Sequence, residues 1–180
     1  MKTFEQMIDG YRHFRSTGWQ DERERWQQLA EGQSPQVMVI SCSDSRVDPA
    51  QILDVAPGEI FVVRNVAALV PPFETTPGRH GVSAAVEFAV QFLEVKEIVV
   101  MGHGLCGGCK AALTQDLYGN ELGQGGHVAH WVDMLDEARA PIAQKLGTEG
   151  REAELAMELE AVKVSIRNLQ TFPYVADKVS

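Results

Sequence analysis

The chain has 180 residues, a length that suggests one domain with a core large enough to fold unaided. Hydrophobic residues make up 44% and charged residues 23%, which excludes disordered, collagen-like and low-complexity proteins. Sixteen basic and twenty-five acidic residues give a net charge of −9, which argues against nucleic acid and anionic membranes as partners. No apolar run approaches the ~18 residues of a membrane span, and Glu5 and Asp9 lie where a signal peptide would be apolar, so we expect a cytoplasmic protein.

The pattern of apolar residues predicts a single α/β domain over 1–180, opened by a helical arm over 1–32. Within the core, 36–117, the predicted strands are 37–40, 60–63 and 98–101. Three helices are predicted there: a short one that begins after Asp48, and two that cover 82–93 and 107–117. Strands that alternate with helices indicate a central, mainly parallel sheet flanked by helices. After a glycine-rich connection, the C-terminal region, 126–180, is expected to form two helices, at about 128–145 and 150–170.

Chemically reactive side chains follow the ends of the three predicted strands, where ligands of open parallel sheets bind. Cys42, His103 and Cys106 together make a set of three zinc ligands that leaves a fourth position open, as in catalytic sites. Taken singly, a buried small side chain or a hydrogen-bonded histidine is the commoner explanation for each of them. The three cysteines are also an odd number, which argues against a disulfide framework.

Two charged residues, Asp44 and Arg46, lie on one side of the extended segment after Cys42. They could form an ordinary surface ion pair, worth at most ~1 kcal/mol. Alternatively, a bidentate grip by Arg46 would hold Asp44 so that one of its oxygens accepts the proton of a zinc-bound hydroxide.

Several segments resemble the β-class carbonic anhydrases, with the plant-like, open-site subgroup favoured. They are 32–35, 42–47, 57–65, 102–108 and 168–173, and the likeness runs in order from about residue 30 to 175. The Cys-x-Asp-x-Arg motif with a distant His-x-x-Cys is highly specific. The resemblance implies reversible hydration of carbon dioxide to bicarbonate and a proton by zinc-bound hydroxide. It also implies a homodimer or homotetramer, in which the N-terminal helices pack on a partner subunit.

The resemblance also implies a role for individual residues. One zinc ion per subunit would be held by Cys42, His103 and Cys106, while Asp44 and Arg46 match the catalytic pair of the family. The positions that match the substrate pocket, including the backbone amide that receives the developing oxyanion, are Gln33, Phe61, Val66, Phe88 and Gly107.

The chain departs from the family pattern at a few positions. Phe88 replaces a tyrosine of the plant-like members, which removes one hydrogen bond from the pocket. Val39 and Ser41 stand where the bicarbonate-inhibited subgroup carries tryptophan and glycine, and this favours an open site in which Asp44 pairs with Arg46. Relatives continue past Ser180 for roughly one more strand, so we expect this strand to be missing.

Some residues, and the function itself, allow alternative interpretations. Cys109 forms a Cys-x-x-Cys pair with Cys106, which is compatible with redox chemistry, although a core position in the following helix is favoured. His127 and His130 are expected to face solvent at the start of a helix. The competing functions are hydrolysis of carbonyl sulfide or carbon disulfide on the same fold, and a non-catalytic zinc or redox protein.

Overall fold

The computed structural model of the chain describes residues 1–118 and 126–179, and its contacts define two compact units, Met1–Ser34 and Pro35–Ser180. The first unit covers the predicted helical arm and contains the helices α1 (Phe4–Ser16), α2 (Gly18–Asp21) and α3 (Arg23–Glu31). Thr3 and Gln6 form a capping box at the start of α1, which satisfies two otherwise unpaired amides. Three aromatic rings, of Phe14, Trp19 and Trp26, pack on one another within this unit.

The second unit is built on a parallel three-stranded sheet, which confirms the predicted α/β fold. The strands are β1 (Val37–Cys42), β2 (Ile60–Asn65) and β3 (Glu97–Met101), in the order β2-β1-β3. The central strand β1 is buried along nearly its whole length, as expected for the apolar middle strand of a covered parallel sheet. In the register, Cys42 pairs with Asn65, and Ser41 pairs with both Arg64 and Met101, so all three strands end at the same edge.

Helices surround the sheet. They are α4 (Pro49–Ile52), α5 (Gly81–Glu87), α6 (Gly107–Thr114), α7 (His127–Val132), α8 (Asp136–Leu146), α9 (Arg151–Leu169) and α10 (Pro173–Val179). Asp48 caps α4 by accepting from the amides of Ala50 and Gln51 at 3.1 and 3.2 Å, as its position before a proline predicts.

Several boundaries differ from the sequence-based expectation. The helix predicted over 82–93 changes after α5 into a π-helical segment, Phe88–Phe92, and the helix predicted to reach 117 ends at Thr114 because Gln115 adopts a left-handed backbone conformation. The helix predicted over 128–145 is divided into α7, a 3₁₀ turn (Asp133–Leu135) and α8. Helix α10 was not anticipated, and most of the glycine-rich connection lies outside the described residues.

None of the helices in the described part of the chain is long and apolar enough to cross a membrane. The cytoplasmic location stays a prediction from composition.

Candidate metal centre

The three predicted zinc ligands come together at the carboxyl edge of the sheet. Cys42 ends β1, His103 follows β3 by two residues, and Cys106 directly precedes α6. Their ligand atoms all lie within 4.8 Å of one another. The sheet explains this convergence, because β1 and β3 are hydrogen-bonded parallel neighbours whose ends must meet at one edge.

The spacing of the two sulfur atoms fits a shared metal ion. Sγ of Cys42 lies 3.9 Å from Sγ of Cys106, and both cysteines are free. Tetrahedral zinc with Zn–S bonds of about 2.3 Å places two sulfur ligands roughly 3.8 Å apart. The two thiols are therefore already at the separation that zinc requires.

The imidazole of His103 is oriented to offer one nitrogen to a metal. Its Nδ1 lies 2.9 Å from the carbonyl oxygen of Gly104, to which it donates a hydrogen bond, so Nε2 carries the lone pair. Nε2 is buried and has no hydrogen-bond partner. An unsatisfied buried nitrogen is costly, and a metal ion satisfies it, so two sulfurs and this nitrogen fit zinc well.

The cysteine side chains differ in acidity. A hydrogen bond from the Cys109 thiol is the main influence that lowers the pKa of Cys106 to about 5, and the start of helix α6 beside Cys106 also favours a thiolate. Burial raises the pKa of Cys42 above its ordinary value. Cys109 is buried among core side chains, as favoured, but it also contacts Cys106, one of the predicted ligands. The Cys-x-x-Cys spacing, which places Cys109 one turn along α6, was the signal for this contact.

Asp44 and Arg46 form a bidentate pair beside the cluster. Nε and Nη2 of Arg46 donate to Oδ1 and Oδ2 of Asp44 at 2.8 and 2.7 Å, and these hydrogen bonds hold the pKa of Asp44 well below its usual range. Oδ2 of Asp44 lies 4.0 Å from Nε2 of His103. Nη2 of Arg46 also donates to the carbonyl oxygen of Leu105 at 2.9 Å. Asp44 thus pairs with Arg46, as expected for an open site.

Arg64 fixes the backbone on which Cys42 and Asp44 stand. From the end of β2, its Nε donates to the carbonyl oxygen of Cys42 at 3.0 Å and its Nη2 to that of Asp44 at 2.8 Å. Its Nη1 donates to Oδ2 of Asp48 at 3.0 Å. Arg64 directly follows the predicted strand 60–63 and was assigned no role from the sequence, and these contacts show that it holds the segment that carries Cys42 and Asp44.

Some of the predicted pocket residues lie near the ligand cluster of their own chain, and others lie away from it. Val66 lies near the start of α6, since a Cβ added at Gly108 would be only 2.7 Å from its Cγ1, and Gly107 directly follows Cys106. Phe61 instead pairs with Met38, four positions before the end of the register and roughly 13 Å along the strand from it.

Phe88 accompanies Phe61 away from the cluster. The two ring centroids are 5.8 Å apart, and the ring of Phe92 stacks on Phe88 at 5.4 Å. Gln33 belongs to the first compact unit. The structure therefore brings Val66 and Gly107, but neither aromatic ring, to the cluster of the same chain.

One group near the cluster was missed by sequence reasoning. Glu158, on α9, accepts from the amide of Cys106 at 3.3 Å and from both Nη atoms of Arg151 at 2.8 Å. Burial alone would raise the pKa of Glu158, but these hydrogen bonds and one from the amide of Leu105 lower it below its ordinary value. In the sequence Glu158 is one of several acidic residues of a helix, and no local signal distinguishes it.

Comparison with known proteins adds independent evidence. The carbonic anhydrase family model matches residues 37–180. A carbonic anhydrase of Synechococcus elongatus is 36% identical over 176 residues, which cover 96% of this chain but 62% of that protein. The solved structure of the β-carbonic anhydrase CcaA is similar with a TM-score of 0.88 and 31% identity, over 97% of this chain and 77% of the other. A structure from a study of two tetrameric β-carbonic anhydrases of Sordaria macrospora is similar with a TM-score of 0.84 and 29% identity, over 98% of this chain and 85% of the other.

Proposed function

The chain belongs to the β-class carbonic anhydrase family, and from this membership we propose that it catalyses the reversible hydration of carbon dioxide to bicarbonate and a proton. One observation carries the proposal: Cys42, His103 and Cys106 gather their ligand atoms within 4.8 Å, and Nε2 of His103 is buried without a partner. These three residues would hold one zinc ion per subunit. When bound, zinc lowers the pKa of a coordinated water molecule and so supplies a nucleophile near neutral pH.

Asp44 orients the nucleophile. Two donors of Arg46 occupy Oδ1, whereas Oδ2 accepts from one donor and lies 4.0 Å from Nε2 of His103. Because Arg46 keeps this carboxylate ionised, Asp44 accepts a hydrogen bond and does not store a proton. Its role is therefore to fix the direction from which the nucleophile attacks, while the released proton passes to solvent.

The substrate side of the site needs little charge, because carbon dioxide is apolar and uncharged. Val66 offers an apolar surface beside the start of α6, with 37% of its area exposed. The amide of Gly107, at the start of α6, would donate to the oxygen that becomes negative during attack. A backbone donor at this position is fixed before the reaction, so it needs no rearrangement.

We also propose a homo-oligomer, a dimer or tetramer, in which Phe61 and Phe88 act in the pocket of a second copy. The position of Phe61 on β2 keeps both rings away from the cluster of their own chain. Phe88 and Phe92 are nevertheless exposed, at 43% and 71%, which suits rings that a neighbouring copy covers. The tetrameric relatives of Sordaria macrospora support this assignment.

Stopped-flow measurement of carbon dioxide hydration tests the proposed activity. Zinc-loaded protein should accelerate hydration, a chelator should abolish the activity, and added zinc should restore it. Carbonyl sulfide is supplied in a parallel reaction. Hydrolysis of carbonyl sulfide without hydration of carbon dioxide would assign the alternative substrate, and zinc-loaded protein that does neither would contradict a catalytic function.

A further inference from the structure

The segment between β3 and α6, residues 102–106, carries two of the three proposed metal ligands and is conformationally strained. We call it the metal loop. Leu105 lies at its centre with φ of 56°, in the left-handed region that a bulky side chain rarely adopts. Such a conformation persists only where surrounding contacts impose it. The groups that hold Leu105 therefore also decide where His103 and Cys106 point.

Packing on one side of the metal loop is incomplete. A cavity of about 170 Å³ adjoins it, lined by Leu105, Cys106, Lys110, Glu154 and Glu158. Apolar contact from this side therefore does not fix the loop, and polar contacts must do so.

Glu158 supplies these polar contacts from helix α9. Its side chain is only 6% exposed, and it accepts from the amide of Cys106 at 3.3 Å and from the amide of Leu105. Arg151, seven residues earlier on the same helix, donates to both carboxylate oxygens at 2.8 Å and lies against Gly104. The pair therefore contacts three consecutive residues of the metal loop, the last of them a ligand.

A stabilising role for the fold alone explains these contacts poorly. The desolvation of the Glu158 carboxylate offsets much of the energy of its ion pair with Arg151, whose side chain is itself 49% exposed, so the pair adds little net stability. Here the charge is placed where backbone amides of a strained, ligand-bearing loop need an acceptor. Residues that hydrogen-bond to metal ligands, without touching the metal, strongly influence metal affinity in other proteins.

We propose that Glu158 and Arg151 are positioning residues that hold the metal loop in its zinc-binding conformation. The inference rests on the proposed zinc site. Removing the charge of Glu158 should allow Leu105 to relax, displace Cys106 and weaken zinc binding, while the ligands themselves remain intact.

The test compares Glu158→Gln with Glu160→Gln in competition for zinc against a chelator of known affinity. Glu160 is a matched control, because it lies on the same helix but forms its ion pairs with Lys163 and Arg167, both at 3.1 Å and both on α9 itself. Zinc affinity should fall by about 10- to 100-fold in Glu158→Gln and by less than about twofold in Glu160→Gln. Equal affinity in the two folded variants would overturn the proposal.

Cobalt substitution provides a readout that loss of stability does not move. In folded Glu158→Gln, the cobalt–thiolate absorption bands should shift or weaken, because Cys106 is displaced, and Glu158→Asp should restore part of the wild-type spectrum. An unchanged spectrum would contradict the positioning role. If Glu158→Gln does not fold, Arg151→Lys carries the same test, since one ammonium group cannot bridge both carboxylate oxygens. Neither measurement depends on hydration, so wild-type protein that binds zinc tightly without turnover would refute the proposed activity and leave this inference standing.

Discussion

Two arginine–carboxylate pairs contact the metal loop, and they differ in the groups that surround their carboxylate oxygens. In the first pair, Arg46 grips Asp44 and donates to the carbonyl oxygen of Leu105, with 22% of the Asp44 side chain exposed. In the second, Arg151 grips Glu158, of which only 6% is exposed. Asp44 keeps an oxygen directed toward the ligand cluster, whereas the carboxylate of Glu158 accepts hydrogen bonds from backbone amides. Under the proposed function, the more exposed pair would serve the reaction and the more buried carboxylate would hold the geometry of the site.

The largest expected effect separates these two roles. In Asp44→Asn an NH₂ group replaces one carboxylate oxygen. Either this group faces a donor of Arg46, which breaks the bidentate pair, or it faces the nucleophile, which then loses its acceptor. We expect hydration turnover at saturating zinc to fall by on the order of 10²–10⁴-fold. Zinc affinity should stay within a few-fold of wild type, because Asp44 is not among the gathered ligands.

Glu158→Gln should show the opposite pattern, with weakened zinc binding and most of the turnover recovered at saturating zinc. Stopped-flow hydration and chelator competition on both variants provide the four values needed. If Asp44→Asn loses zinc as readily as Glu158→Gln, the distinction between the two pairs is wrong.

A smaller effect tests the packing of the metal loop against its neighbours. A Cβ at Gly108 would lie 2.7 Å from Cγ1 of Val66 and 3.0 Å from Cβ of Ala67, whereas a Cβ at Gly107 meets nothing within 4 Å. Gly108→Ala should therefore lower the free energy of unfolding by roughly 1–3 kcal/mol.

The matched control, Gly107→Ala, should be neutral or slightly stabilising, because alanine is the better helix former and the backbone donor is retained. Urea unfolding of the zinc-free proteins measures both variants. Equal destabilisation would show that the close approach at Gly108 does not matter.

The smallest effect is expected at the exposed side of α9. Arg167 is 58% exposed and donates to Glu160 at 3.1 Å, so Arg167→Gln should change the unfolding free energy by less than ~1 kcal/mol and leave zinc affinity unaltered. The same urea and chelator measurements apply. A fall in zinc affinity here would mean that charge on α9 acts at a distance and not through contact with the metal loop.

The ligand cluster could be predicted from the sequence because its logic is local. Each strand is a short apolar run, each run ends in reactive side chains, and the ends of neighbouring parallel strands must meet. The pairing of Asp44 with Arg46 could be predicted for the same reason, since the two residues stand two positions apart on one extended segment. The parallel sheet itself follows from the alternation of strands and helices.

The remaining features depend on contacts between distant parts of the chain. Glu158 lies 52 residues after Cys106, in a run of acidic residues that resembles any solvated helix face. The change to π-helical geometry at 88–92 leaves no pattern that differs from a continuous helix, and helix α10, which begins at Pro173, has too few residues for a clear apolar period. The positions of Phe61 and Phe88 required the strand register, which the resemblance alone did not provide.

Zinc K-edge X-ray absorption of the zinc-loaded protein tests the central claim most directly, because it counts the ligand atoms. Coordination by Cys42, His103 and Cys106 predicts two sulfur atoms at about 2.3 Å, with nitrogen or oxygen at about 2.0–2.1 Å completing the shell. A shell without sulfur would contradict this site. Three sulfur atoms would also contradict it, because Cys109 would then be a ligand and no position would remain open as proposed.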